Sequence, residues 1–162
     1  LNCFAHYPQA RLVAGGTDLA LESTQQLHSL PQLIYTGRVA EMRQISERED
    51  ALVIGAAVTY SEAEPILTHA FPALAGLLHR LGSLQVRNQG TLGGNIANAS
   101  PIGDMPPVML ALNATFIADN GNKVLRAAMS QGLIPGTVEC ELGIKVIGNK
   151  PEAMIKSIEA TK

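Results

Sequence analysis

The chain has 162 residues, of which 46% are hydrophobic, and a formal net charge of -2. This apolar content is enough for a buried core in one domain or in two small subdomains. The twelve Lys and Arg residues are scattered, which argues against nucleic acid or an anionic membrane surface as a partner, because both need clustered basic residues.

The cysteines and histidines do not form a metal-ligand pattern. Cys3 and Cys140 lie far apart, and neither has a second cysteine at ligand spacing. We therefore expect no metal site on this chain. Unpaired cysteines and the lack of a signal-peptide pattern favour the cytoplasm. No apolar run reaches the roughly 20 residues that a membrane-spanning helix requires.

Two short strands are the first predicted elements. The run RLVAGG (11–16) is typical of a buried strand that enters a tight loop at its glycines. The run PQLIYTG (31–37) repeats this design, with residues 33–35 as the strand. An irregular helical or loop segment connects them, as a parallel pair requires.

A β-hairpin and a helix are expected next. The charged residues 47–50 predict the turn, and the following strand is expected over 52–58, interrupted at its central glycine. Ser61 and Glu64 fit a capping box, in which each side chain satisfies an N–H group at the start of a helix. That helix is expected to end near His69.

Apolar residues then recur at helical spacing, which is typical of packing against a core, and Pro72 suits a helix start. These residues are Phe71, Leu74, Leu77, Leu78 and Leu81.

The second half of the chain predicts a helix, a hairpin and two weaker elements. Residues 106–112 favour a short helix that leads into a strand over 114–118. The turn at 119–122 contains Asn-Gly, which tolerates positive φ at low cost, so a return strand is expected over 123–128. The weaker patterns predict a strand within 140–148 and an amphipathic helix over 151–162.

Two glycine-rich segments carry the functional interpretation: AGGTDLAL (14–21) and TLGGNIANASPIGD (91–104). Glycine lets a ligand approach where a Cβ atom would collide. A run of inward-facing N–H groups forms a concavity that favours phosphate. Neutral donors accompany the glycines: Thr17, Thr91, Asn95, Asn98 and Ser100. Together they predict a pyrophosphate site without lysine, although neither GxGxxG nor a P-loop is present.

Two simpler interpretations stay open from the residues alone. A Gly-Gly pair after a strand is often a plain turn. Asp104 precedes Met105 and two prolines, so it could cap the next helix. Alternatively, it could accept a hydrogen bond from a ribose hydroxyl or a ring N–H of a nucleotide.

Long stretches of the sequence resemble the FAD-binding domain of molybdenum hydroxylases. They are RLVAGGTDLAL, TYSEAEPIL, FPALAGLLHRLGSLQVRN and QVRNQGTLGGNIANASPIGDMPPVMLAL. The flavin-carrying subunits of bacterial xanthine dehydrogenases are the nearest subgroup. The resemblance implies an α+β fold of two subdomains, of the vanillyl-alcohol-oxidase/molybdopterin-dehydrogenase type, with FAD between them.

The resemblance also implies site residues. Two loops would contact the pyrophosphate: Leu12, Val13, Ala14, Gly15, Gly16, Thr17, Asp18 and Leu19 in the first, and Gly90, Thr91, Leu92, Gly93, Gly94 and Asn95 in the second. Asn98 and Ser100 match small polar positions near the cofactor, and Asp104 matches the adenosine-side aspartate. Leu81 stands where relatives often place an aromatic ring beside the flavin. No residue is nominated as a catalytic acid or base.

The implied function is electron transfer. Iron–sulfur clusters and molybdopterin would belong to other segments or partner subunits, and FAD would pass the electrons to NAD. Two alternatives are a non-catalytic assembly module and a stand-alone flavoprotein reductase or oxidase.

The resemblance covers roughly residues 5 to 125 and fades after Asn122. We therefore expect a first FAD-binding subdomain, incomplete at its N-terminus, over 1–50 and a second over 51–128. Residues 129–162 would form a tail unlike the family.

Overall fold

A computed structural model describes residues 6–48, 51–98, 100, 102–112, 114–119, 124–128 and 145–149 of the chain. These residues form helices together with a two-stranded and a five-stranded β-sheet. The predicted α+β class is confirmed. No helix in this part of the chain is long and apolar enough to cross a membrane.

The smaller sheet consists of β1 (Arg11–Val13) and β2 (Leu33–Tyr35). The two strands are parallel, with Leu12 opposite Ile34, and the predicted parallel pair is therefore confirmed. The crossover contains helix α1 (Leu19–Thr24). Thr36 closes the pair, because its backbone N–H donates to the carbonyl oxygen of Val13 at 2.8 Å.

The larger sheet contains strands from both halves of the chain, all antiparallel, in the order β3-β4-β7-β5-β6. Its strands are β3 (Ile45–Glu47), β4 (Ala51–Gly55), β5 (Thr115–Asp119), β6 (Val124–Ala128) and β7 (Lys145–Asn149). The expected hairpins β3–β4 and β5–β6 and the late strand β7 are confirmed. The turn residues 120–123 and the predicted helix at 151–162 lie outside the described residues.

Strand β4 is shorter than expected. It ends at Gly55, and residues 56–58 turn away from the sheet, with the N–H of Val58 donating to the carbonyl oxygen of Gly55 at 3.1 Å. The N–H of Ala57 donates to the carbonyl oxygen of Met42 at 2.8 Å. The expectation of a strand through residue 58 was wrong.

Helix α2 (Tyr60–Ala70) begins with a capping box, but not the predicted one. Thr59 and Glu62 form it: the hydroxyl of Thr59 accepts from the N–H of Glu62, and the Glu62 carboxylate accepts from the N–H of Thr59 at 2.9 Å. Ser61 instead donates to the side chain of Asn88 at 2.6 Å. The box lies two residues early because Thr59 is extended and bridges to Thr91.

A 3-10 turn at Pro72–Leu74 leads into helix α3 (Ala75–Arg80), followed by α4 (Leu84–Gln89), α5 (Leu92–Ala97) and α6 (Met105–Ala111). One core joins α2, α3, α5 and α6 to β4. Its most deeply buried large side chains are Leu52, Ile54, Val58, Leu67, Leu78, Leu92, Met105 and Met109. Phe71 and Leu81 are also buried in it, and Leu74 and Leu77 pack against it.

The sheet pairings cross the expected subdomain boundaries. Strand β3 lies before residue 50 but pairs with β4 after it. Strand β7 comes from the expected tail and lies between β4 and β5. The division into subdomains at residues 50 and 128 stays a prediction.

Candidate functional site

A cleft of about 460 Å³ lies between the loop that follows β1 and the start of α5. The loop is continuous with strand β1, and α5 is held against the end of β4. Most residues predicted for the site line this cleft: Leu12, Val13, Ala14, Gly15, Gly16, Thr17, Asp18, Leu19, Leu81, Gly90, Thr91, Gly93, Gly94, Asn95, Asn98 and Asp104. The two glycine-rich segments therefore share one cleft.

Two predicted residues do not line it. Leu92 is fully buried in the core, and its N–H donates to the carbonyl oxygen of Val58 at 3.1 Å. Ser100 lies beyond the cleft, where its hydroxyl accepts from the N–H of Ile102 at 3.4 Å. Both contacts serve the local fold.

The loops approach each other closely at Gly15. A Cβ atom at this position would lie 1.9 Å from the carbonyl oxygen of Gln89. Only glycine allows this approach, because the obstacle is backbone that cannot rotate away. The next residue, Gly16, has a φ of 71°, in the left-handed region that glycine adopts without strain. The Gly-Gly pair thus brings the first loop against the second.

The first loop places a run of backbone N–H groups beside the cleft. Those of residues 14–18 make no hydrogen bond to any other residue that the structure describes. Consecutive free N–H groups beside a cleft form a concavity that attracts phosphate oxygens. The glycine-rich pattern predicted such a concavity for an anion, and the binding role of these groups stays a prediction.

The second loop uses its N–H groups differently. Gly93 donates to the carbonyl oxygen of Ala56 at 3.0 Å, Gly94 to the hydroxyl of Thr91 at 3.1 Å, and Asn95 to the carbonyl oxygen of Thr91 at 3.1 Å. Together with Leu92, four successive amides are engaged within the protein. The second loop therefore forms a wall, and the free amides of the cleft come chiefly from the first loop.

Asp104 does not cap helix α6. Its side chain makes no capping hydrogen bond, so that alternative interpretation was wrong. The side-chain oxygen of Asn95 accepts from the N–H of Met105 instead, at 3.4 Å. Asp104 is therefore left exposed at the cleft with its carboxylate available to a ligand.

Charges at the cleft are mainly acidic. Asp18, Glu22 and Asp104 line it, and Arg11 is the cation among its described lining residues. Arg11 donates to Glu22 at 2.8 Å and, through its second nitrogen, at 2.5 Å. This hydrogen bond lowers the pKa of the Glu22 carboxyl group. The binding of a diphosphate here would therefore depend on backbone amides more than on a free cation.

Tyr60 lines the cleft but was missed from the sequence. Its side chain is 3% exposed, and its hydroxyl oxygen has no hydrogen-bond partner among the described residues. Burial raises the pKa of Tyr60, and the carboxylates of Asp104 and Asp18 raise it further. The only signal in the sequence was an aromatic residue at the start of a helix, which is equally typical of core packing.

Leu81 forms an apolar part of the wall at the end of α3. It is 7% exposed and is followed by Gly82, whose φ is 57°. The guanidinium group of Arg87 fixes this turn, since it donates to the carbonyl oxygens of Leu81 at 3.3 Å and Gly82 at 3.0 Å. Met42 and Val86 add apolar surface that the sequence did not predict.

Comparisons with known proteins identify the family of the chain. Residues 1–142 match the model of a family described as the FAD binding domain in molybdopterin dehydrogenase. Xanthine dehydrogenase of Calliphora vicina is 35% identical over 122 residues, which are 68% of this chain and 9% of that protein. Xanthine dehydrogenase of Drosophila subobscura is 36% identical over 125 residues, which are 70% of this chain and 9% of that protein. The chain thus spans about a tenth of these relatives.

Solved structures show the same fold. Quinoline 2-oxidoreductase from Pseudomonas putida 86 superposes with a TM-score of 0.83 and 27% identity, covering 93% of this chain and 55% of the other. Carbon monoxide dehydrogenase from Hydrogenophaga pseudoflava gives a TM-score of 0.80 and 28% identity, with 92% and 55% covered. The resemblance seen in the sequence is confirmed.

Proposed function

The chain belongs to the family of FAD-binding domains in molybdopterin dehydrogenases, and we propose that it is the electron-transferring flavin domain of a xanthine dehydrogenase-like molybdenum hydroxylase. In this role it receives electrons from iron–sulfur clusters on another segment or subunit. FAD, when bound, supplies the redox chemistry, while the protein binds and orients it. We propose NAD as the final acceptor and the cytoplasm as the location.

The free N–H groups at residues 14–18 carry the assignment of the cleft. They lie beside a 460 Å³ cavity and have no partner within the described residues. Such groups bind phosphate without cationic side chains, which suits a cleft whose cation Arg11 is already paired. The residues present therefore fit a dinucleotide.

Each part of the cleft has a distinct proposed role. The amides of the first loop bind the diphosphate. Gly94 leaves space for it on the opposite wall, and the carboxylate of Asp104 accepts a hydrogen bond from the adenosine half. Leu81 offers apolar contact to the isoalloxazine ring in place of an aromatic side chain. The engaged amides of α5 keep that wall fixed when the cofactor enters.

The first test is flavin binding by the purified protein. We expect a yellow protein with visible flavin absorption, or a colourless one whose melting temperature rises when FAD is added. A colourless protein that gives no binding heat with FAD would reject the role and favour the assembly module.

Co-purification tests the wider role. A molybdenum hydroxylase flavin domain should bring partners that contain iron and molybdenum, which elemental analysis detects. A flavin-loaded protein that never associates with either metal would support the stand-alone flavoprotein instead. Reduction of NAD by the assembled complex checks the proposed acceptor.

A further inference from the structure

The hydroxyl group of Tyr60 is a buried hydrogen-bond donor in the wall of the cleft. The residue is 3% exposed, and its oxygen makes no hydrogen bond to any residue that the structure describes. Folded proteins satisfy the large majority of their buried polar atoms, so each exception needs an explanation. A ligand that supplies the missing acceptor is one such explanation.

The ring is held in the wall of the cleft. The backbone N–H of Tyr60 donates to the carbonyl oxygen of Gly90 at 3.0 Å. A Cβ atom at Gly90 would lie 3.4 Å from the Cδ2 and Cε2 atoms of the ring, an ordinary contact distance, so the ring packs directly against Gly90. Tyr60 is thus fixed to the second glycine-rich loop at the point where that loop meets the cleft.

The charges around this hydroxyl select the kind of group that can bind it. Burial first, and then the carboxylates of Asp104 and Asp18, raise the pKa of Tyr60, so the phenol stays protonated and donates. Carboxylates repel a phosphate but accept from a hydroxyl group. A sugar hydroxyl can accept from the phenol and donate to a carboxylate at the same time.

We propose that Tyr60 is a cofactor-binding residue whose hydroxyl donates to a sugar hydroxyl of FAD, with a neighbouring aspartate accepting from that same group. The inference rests on the proposed position of FAD in the cleft. Because the oxygen is closed to solvent in this structure, the hydrogen bond requires a small movement of the cleft wall when FAD binds.

Replacement of Tyr60 by Phe tests this, because it removes a single oxygen atom. We expect FAD binding to weaken by roughly 5- to 20-fold, measured by quenching of flavin fluorescence. The melting temperature without FAD should stay the same or rise, since the variant no longer buries an unpaired polar atom. Tyr7→Phe is the matched control, because Tyr7 is 51% exposed and lies outside the cleft lining.

Three outcomes would overturn the proposal. Unchanged FAD affinity in folded Tyr60→Phe would show that the hydroxyl does not contact the cofactor, provided that the wild type binds FAD in the same titration. If the melting temperature of Tyr60→Phe falls equally with and without FAD, the Tyr60 hydroxyl has a hydrogen-bond partner within the protein itself. Inorganic pyrophosphate should compete with FAD equally well in the wild type and in Tyr60→Phe. If the affinity for pyrophosphate falls in Tyr60→Phe as much as the affinity for FAD, the hydroxyl contacts a phosphate instead of a sugar. Failure of the wild type to bind FAD would instead reject the proposed function.

Discussion

The side-chain amide of Asn98 donates to the carboxylate of Asp18, with 3.1 Å between Nδ2 and Oδ2, and so joins two segments that lie 80 residues apart. One segment follows β1 and carries the free amides, and the other ends α5. A binding site built from both glycine-rich segments requires that they be neighbours. This hydrogen bond, with the approach of Gly15 to Gln89, makes them so.

Asn98→Ala should loosen the first loop without unfolding the protein. Both side chains are exposed, so we expect a stability loss of about 0.5–1.5 kcal/mol. FAD affinity should fall several-fold because the amides at 14–18 are held less firmly. Urea unfolding and FAD titration measure the two effects. Asn88→Ala is the control, since Asn88 accepts from Ser61 outside this cleft, and an equal loss of FAD affinity there would contradict the prediction.

The adjacent glycines Gly93 and Gly94 should respond differently to substitution. A Cβ atom at Gly93 would lie 2.4 Å from the Cβ of Ala56 and 2.7 Å from its carbonyl oxygen. Gly93→Ala should therefore destabilise the fold by about 1–3 kcal/mol. Thermal unfolding without FAD measures this.

At Gly94 the obstacle is the hydroxyl of Thr91, 2.8 Å from a built Cβ, and the position faces the cleft. Gly94→Val should therefore weaken FAD binding at least roughly tenfold, about 1.4 kcal/mol, while the melting temperature falls less than in Gly93→Ala. Unchanged affinity in a folded Gly94→Val variant would reject the place assigned to the diphosphate.

Asp104→Ala separates ligand binding from capping. Because the Asp104 side chain makes no capping bond, the stability without FAD should change by less than about 0.5 kcal/mol. Loss of one charge-assisted hydrogen bond to the cofactor should cost about 1–2 kcal/mol of binding. Calorimetric titration measures the binding, and Glu41→Ala, an exposed acid outside the cleft lining, is the control. An equal fall in melting temperature with and without FAD would restore the capping role.

Glu62 should give the fold a dependence on pH. Burial favours the neutral acid, but hydrogen bonds from Thr59 and the nearby Arg43 outweigh it, so the pKa of Glu62 is lowered. A lowered folded-state pKa gives stability that is present above the unfolded value of about 4.3 and is lost as pH falls through the folded value.

Glu62→Gln should therefore reduce stability near neutral pH, and the difference from the wild type should disappear as the pH falls through the lowered folded-state pKa of Glu62. Urea unfolding of both proteins from neutral to acidic pH measures how their difference in stability changes with pH. Glu41→Gln serves as the control, and a difference between wild type and Glu62→Gln that grows on acidification would contradict the lowered pKa.

Local patterns were sufficient for much of the fold. The apolar runs ending in glycine predicted β1 and β2, and the Asn-Gly turn predicted the β5–β6 hairpin, because neighbours in the chain determine both. The capping box was predicted at Ser61 but forms at Thr59, because Thr59 is held in an extended conformation by a β-bridge to Thr91. No pattern of neighbouring residues encodes a contact with Thr91. For the same reason Tyr60 was missed, since its place beside the cleft depends on a hydrogen bond from its N–H to the carbonyl oxygen of Gly90.

The glycine patterns identified the cleft but not the use of its amides. Both loops looked like concavities of free N–H groups. In the structure, the start of α5 donates to Ala56, Val58 and Thr91, and only tertiary packing determines that. The roles of the individual site residues stay predictions for the experiments above.

The position of β7 has a consequence for synthesis on the ribosome. This strand is the last described element in the chain, yet it separates β4 from β5, and the residue after β4, Ala56, supports Gly93 in the cleft wall. A nascent chain that ends before residue 145 would therefore present the unpaired backbone edges of two strands, which are templates for aggregation. Assembly of the cleft should be among the final events of translation of this segment, and early termination should yield insoluble product.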